Sequence, residues 1–127
     1  MKLLIVTVNY TSAKHVLSGL DALVPQIEAI GDTQMWIVDN NSPDDSYGML
    51  RDGIVARGLE HLIRLIESPV NGGFGAGNNI AFREALALPE PPSYIYLLNP
   101  DATPDSGAVD TLLQFMVDHP NVGVVGG

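Results

Sequence analysis

The chain has 127 residues, 46% of them hydrophobic and 17% charged, with no cysteine and a formal net charge of -9. That length suits one domain with its own core, and the lack of cysteine excludes disulfide frameworks and thiolate metal sites and leans toward a cytoplasmic protein. With only six Lys and Arg, the chain is not a binder of nucleic acid or of anionic membrane surfaces, and any phosphorylated ligand must be met by a metal ion or by backbone N–H groups.

The first apolar run, Leu3–Val8, is rich in β-branched residues and reads as a buried strand. It is too short to span a bilayer and lacks a small-residue cleavage site, so a buried strand is expected rather than a transmembrane segment or a leader. Val16, Leu20, Leu23, Ile27 and Ile30 then recur at steps of three and four, the stripe of an amphipathic helix, within which Pro25 should cause a kink or a split. Met35–Val38 predicts the second strand. Asp44 or Asp45 offers an N-cap for a helix ending near Gly58. Leu62–Ile66 predicts a third strand, interrupted by Arg64. A helix is expected from about Asn78 to Leu88, stopped by Pro89-Glu90-Pro91-Pro92. Tyr94–Leu98 predicts the fourth strand. After a Pro104-Asp105 start, Val109, Leu112, Leu113 and Met116 repeat the helical stripe, and Val122–Val125 predicts a fifth strand. Strands alternating with helices in this way specify an α/β fold with a mostly parallel sheet and helices on both faces.

In open parallel sheets, ligands sit beyond the carboxyl ends of the strands. Here the first strand runs into Asn9-Tyr10-Thr11-Ser12 and the second into Asp39-Asn40-Asn41-Ser42. The third leads to Asn71-Gly72-Gly73-Phe74-Gly75-Ala76-Gly77-Asn78-Asn79, and the fourth to Asn99-Pro100-Asp101. Asp39 is either a turn former or an acceptor for a nucleobase or ribose. The glycine-rich segment is either a tight strand-to-helix turn or a place where backbone approaches a ligand. It is no P-loop, since no Lys-Ser/Thr pair follows, and it fails the dinucleotide fingerprint at Asn78. Asn99-Pro100-Asp101 is either a turn or a rigid mount for a carboxylate able to hold Mg²⁺ or Mn²⁺. His15, His61 and His119 are not at metal-ligand spacing and read as structural. Ser12, Ser42 and Ser46 have no accompanying His/Asp arrangement.

Four blocks, Ile5-Val6-Thr7-Val8-Asn9-Tyr10, Val38-Asp39-Asn40-Asn41-Ser42-Pro43-Asp44, Asn71 to Asn79, and Leu97-Leu98-Asn99-Pro100-Asp101-Ala102, together resemble the family 2 glycosyltransferases of the GT-A fold group, especially rhamnosyltransferase-like members. The resemblance implies that residues 1–127 form one nucleotide-diphospho-sugar-binding domain, the Rossmann-like half of a GT-A enzyme, ending before the acceptor-binding half. It implies that Val8, Asn9, Tyr10 and Asp39 hold the nucleobase and that the loop around Gly73 packs beside base and ribose. Asn99 would face the ribose, and Asp101 would bind the divalent metal, Mg²⁺ or Mn²⁺, bridging the diphosphate. Two departures stand out: Asn78, on the nucleotide side, occupies a position where the family often has Arg, and Asn99 replaces an Asp. The Asn-Pro-Asp form hints at a deoxythymidine-diphosphate sugar such as dTDP-rhamnose, with a UDP-sugar as the other option.

The implied reaction is an inverting displacement at the anomeric carbon, transferring sugar to a saccharide or lipid-linked acceptor in polysaccharide biosynthesis. The general base is expected beyond Gly127, so this chain is expected to bind donor while transferring little by itself. The expected location is the cytoplasm, peripheral to the inner face of a membrane in the fuller protein. Two other classes compete: a non-catalytic nucleotide-binding or regulatory module that retains the donor pocket, and a flavodoxin-like α/β domain whose loops are merely polar.

Overall fold

The first four apolar runs form strands in the computed structural model, which describes Met1–Gly127. The elements alternate as β1 (Leu3–Asn9), α1 (Ala13–Ile30), β2 (Thr33–Asp39), α2 (Ser46–Ala56), β3 (Ile63–Glu67), α3 (Phe74–Leu86), β4 (Tyr94–Leu97) and α4 (Ala108–Asp118). The strands pair in parallel in the order β3-β2-β1-β4. β1 is central, with Leu3 opposite Thr33 on one side and Tyr94 on the other, and all seven of its residues are buried.

Alternation along the strands divides the core into two. Leu3, Ile5, Met35 and Ile37 meet Val16, Leu20, Leu23 and Ile27 of α1, Leu50 and Ile54 of α2, and Val109 and Leu113 of α4. On the opposite face Leu4, Val6, Val8, Trp36, Val38 and Ile66 lie beneath Ala81 and Ala85 of α3. The sheet is thus covered by helices on both sides, as the continuous apolar strands require. Each fully buried Leu, Ile or Val contributes about 1.5–3 kcal/mol through removal from water. Tyr96, partly buried against the first of these cores, has its phenol pushed above its ordinary pKa of 10.0 by desolvation. No helix is long and apolar enough to cross a membrane.

Several elements differ from expectation, each for a local reason. α1 continues through Pro25 as one helix. Pro25 and Asp21 both lie on its exposed face, so the Asp21 carbonyl that loses its N–H partner can turn to water. Asp45 occupies the N-cap of α2 without a side-chain bond, whereas Asp44 Oδ1 accepts from the Ser46 N–H at 3.0 Å. The end of α2 is as expected: Gly58 is left-handed at φ 66, with Gly58 N–H donating to Val55 O and Leu59 N–H to Ile54 O, a Schellman arrangement. Arg64 does not break β3. Its guanidinium lies over the Trp36 ring, 4.8 Å from the centroid, and pairs with Glu84.

Two starts and one strand require correction. α3 begins at Phe74, four residues before Asn78, so most of the glycine-rich segment is helix rather than loop. α4 begins after Gly107, left-handed at φ 80, rather than at Pro104-Asp105. Val122–Val125 forms no strand and Val124 is 89% exposed. A strand needs a ladder partner for its N–H and C=O groups, and no other strand pairs with this segment.

The early start of α3 is possible because Gly77 faces β1. A Cβ there would lie 2.7 Å from Val8 Cγ1, while a Cβ on Gly75 would meet nothing within 4 Å. Gly77→Ala should therefore destabilise the fold by about 1–3 kcal/mol through overpacking on a rigid strand. Gly75→Ala should stabilise it by up to about 1 kcal/mol through reduced backbone entropy in the unfolded chain. Urea denaturation of the two variants measures both, and equal effects of one sign would contradict the packing described.

Candidate functional site at the carboxyl edge of the sheet

Because all four strands are parallel, their carboxyl ends share one edge. After β3 the chain crosses to the other side of β1 to form β4, which makes the crevice between the tips of β1 and β4 the topological switch point, where ligands of open α/β sheets bind.

The tips of β1 and β2 are joined by a buried carboxylate. Asp39 is 2% exposed. Its Oδ1 accepts from Asn9 Nδ2 at 3.0 Å and from Ser42 Oγ at 2.7 Å, and its Oδ2 accepts from Ser42 N–H at 3.2 Å. Ser42 Oγ in turn accepts from Thr11 N–H at 3.0 Å. These contacts hold Thr11 and Asn41 in left-handed backbone at φ 55 and 57, a conformation that costs a β-branched threonine about 1–3 kcal/mol. A third left-handed non-glycine residue, Asp32 at φ 43, lies in the turn before β2.

The glycine-rich segment is tied to β2 by Asn40. Its Nδ2 donates to Asn71 Oδ1 at 2.9 Å and to Gly73 O at 3.0 Å, and Asn71 Oδ1 also accepts from Gly73 N–H at 2.9 Å. Gly73, at φ 95, is the N-cap of α3. Asn78 lies in the second turn, buried, donating from Nδ2 to Phe74 O at 3.2 Å. Three buried carboxamide oxygens at this edge, Asn9 Oδ1, Asn40 Oδ1 and Asn78 Oδ1, have no protein partner. Such an acceptor costs about 1–3 kcal/mol if left unpaired.

At β4 the Asn99 carbonyl accepts from Ala102 N–H at 3.1 Å, closing a turn around Pro100. Asn99 and Asp101 are exposed, and neither side chain is bonded to the other tips. No three Asp, Glu or His side chains gather into a set that could hold a metal ion by themselves.

The eight residues singled out from sequence therefore fall into two groups. Val8, Asn9, Asp39 and Asn78 are buried, while Tyr10, Gly73, Asn99 and Asp101 are exposed. Hydrogen bonds bring Asn9 and Asp39 together, and β2 to Gly73 through Asn40. Asn99 and Asp101 stand on a separate turn of the same edge. Sequence reasoning placed Asn40, Ser42 and Asn71 in the strand-tip clusters but gave them no role, and they do the bracing. The legible signal was the Asp39-x-x-Ser42 spacing, which suits a side-chain acceptor for the backbone N–H three residues on. The histidines take no part. His119 stacks on Phe115 with centroids 4.0 Å apart and its Nδ1 lies 2.8 Å from Phe115 O.

Residues 4–127 match the sequence model of glycosyl transferase family 2. No curated protein matches the chain in sequence. Among solved structures, the mannosyltransferase PcManGT from Pyrobaculum calidifontis, in complex with GDP-Man and Mn²⁺, superposes with a TM-score of 0.78 at 20% identity, over 96% of this chain and 34% of that one. TarS 1-349 of S. aureus, in complex with UDP-GlcNAc, superposes with a TM-score of 0.73 at 18% identity, over 99% of this chain and 37% of that one. The likeness to these structures is one of fold, and the chain spans 34% and 37% of their lengths.

The bracing of β1 against β2 has a measurable weight. Ser42→Ala removes the bond to Asp39 Oδ1 and leaves Thr11 N–H without its acceptor, and should cost about 1–3 kcal/mol of stability. A double-mutant cycle with Asn9→Ala should give a coupling of at least about 0.5 kcal/mol, since both side chains meet one carboxylate oxygen. Additive effects would show that the two bonds act separately.

Proposed function

The chain belongs to glycosyl transferase family 2, and from that membership we propose that it binds the nucleotide-diphosphate sugar from which such an enzyme transfers. The observation that carries the reading is the convergence of four polar strand tips on one edge, at the switch point of a parallel sheet.

In this reading Val8, Asn9, Tyr10 and Asp39 form the nucleobase end. A carboxylate offers about four acceptor positions, and Asp39 commits three of them to Asn9 and Ser42, which leaves one for a base or ribose donor. Tyr10, 44% exposed, supplies an aromatic surface. Gly73 and the first turn of α3 lie beside base and ribose. That turn has no acidic residue, so its N–H groups and dipole favour an anion. Asn99 faces the ribose.

Asp101 is the proposed metal ligand, and the residues present fit a divalent ion that arrives with the diphosphate. Mg²⁺ commonly uses one or two carboxylates together with phosphate oxygens and water, and an exposed carboxylate on a Pro-stiffened turn supplies that share. When bound, the ion would neutralise the negative charge that develops on the leaving diphosphate. The chain's own contribution is to orient the donor: the buried Asp39 network fixes the nucleoside, and the turn after β4 sets the position of Asp101. The fit is supported by PcManGT, whose structure holds GDP-Man and Mn²⁺.

The proposed reaction is inverting transfer from a dTDP-sugar or UDP-sugar to a saccharide or lipid-linked acceptor, at the cytoplasmic face of a membrane. Because the chain spans about a third of its structural neighbours, the general base and the acceptor pocket are proposed to lie outside residues 1–127.

Calorimetry with UDP and dTDP, with and without Mn²⁺, tests the reading. Binding should require Mn²⁺, and Asp101→Ala should weaken it at least tenfold, about 1.4 kcal/mol, with an unchanged melting temperature because the side chain is exposed. Metal-independent binding of a different nucleotide would instead favour a non-catalytic nucleotide-binding module.

A further inference from the structure

Thr7 is a polar residue in the middle of the most buried strand. It is 1% exposed, and its Oγ1 has no protein partner. A hydroxyl left so costs about 1–3 kcal/mol, a large fraction of a small domain's stability. The side chain borders a small cleft, partly open to solvent, with ≈ 10 Å³ available to the centre of a water molecule, which is about the room one water needs. The remaining wall is uneven in character. The residues from α1 and β2 are apolar, with Leu20 and Met35, whereas the turn after β4 contributes Asn99, Pro100 and Ala102.

A buried water needs at least two polar partners to be held. Thr7 Oγ1 is one, and the chemistry of the wall leaves the turn as the source of the others, because side chains of α1 and β2 offer none. We propose that this cavity holds a single ordered water that bridges Thr7 Oγ1 to the polar groups of the Asn99–Ala102 turn. The bridge fastens the turn after β4 to the central strand. Thr7 is thereby a positioning residue for Asp101, acting through the water and the turn rather than touching donor or metal. This second part rests on the metal-binding reading of Asp101, while the water itself does not.

The sign of one stability change separates a wet cavity from a dry one. Thr7→Val keeps the shape and removes the hydroxyl. If water bridges Thr7 to the turn, the variant loses those bonds and melts at a lower temperature than the parent. If the hydroxyl is dry and unpaired, replacing it with a methyl group relieves the penalty and raises the melting temperature, which overturns the proposal. A crystal structure at high resolution should show a solvent peak within hydrogen-bond distance of Thr7 Oγ1 and of the turn, lost in Thr7→Val; an empty cavity in the parent overturns it equally. For the positioning role, Thr7→Val should weaken Mn²⁺-dependent UDP or dTDP binding by roughly three- to tenfold. Thr7→Ser, which keeps the hydroxyl and loses a methyl group, should retain that affinity even though it is also less stable. Equal affinities for the parent and Thr7→Val would overturn the positioning role. Failure of the parent to bind any nucleotide with Mn²⁺ would overturn the reading of Asp101 and the positioning role with it, and the melting and density results would still decide the water.

Discussion

A strand paired along both edges and covered on both faces has nowhere to put a polar side chain except against another polar group. β1 is such a strand, yet it carries Thr7 and Asn9. Much of the carboxyl edge follows from how those two are accommodated. Asn9 finds its partner in Asp39 of the neighbouring strand, which places a buried carboxylate at the tip of β2. That carboxylate then captures Ser42, and Ser42 captures the backbone of Thr11. The register of the sheet thus reaches into the loops beyond it, and the loops inherit the rigidity of the core.

The same economy governs charge. The chain carries six Lys and Arg against fifteen Asp and Glu, and three of those six cations are in ion pairs. Arg51 pairs with Asp52, Arg57 lies near Asp21, and Arg64 sits between Trp36 and Glu84. At the edge stand the strand tips, the glycine-rich start of α3 and buried carboxamides, with Lys14 exposed in the first turn of α1.

Strand positions and fold class were legible in the sequence because β-branched apolar runs separated by helical stripes leave few alternatives. Which residues collect at the edge was legible too, since parallel strands put all their tips together. Less visible was what depends on close approach. The start of α3 at Phe74 follows from Gly77 lying against Val8, a contact between elements that no local propensity encodes. Pro25 predicts a kink because its position in the sequence does not say that it faces solvent. Val122–Val125 had the composition of a strand and lacked only a neighbour. At the site, the residue types drew attention to Asp39 but not to Ser42 or Asn40, whose importance lies in where their hydrogen bonds go.

β4 differs from its neighbours in a way that bears on how the edge moves. It has four residues, pairs only with β1, and leaves Ile95 and Leu97 exposed at 36% and 47%. Backbone protection against hydrogen exchange follows burial and cooperative pairing. The amides of β1 and β2 therefore belong to the slowest-exchanging unit of the domain, and those of β4 and its turn to a unit that opens at lower free energy. The edge is in this sense mechanically asymmetric: one half is set by the global fold, and the other can breathe without unfolding it.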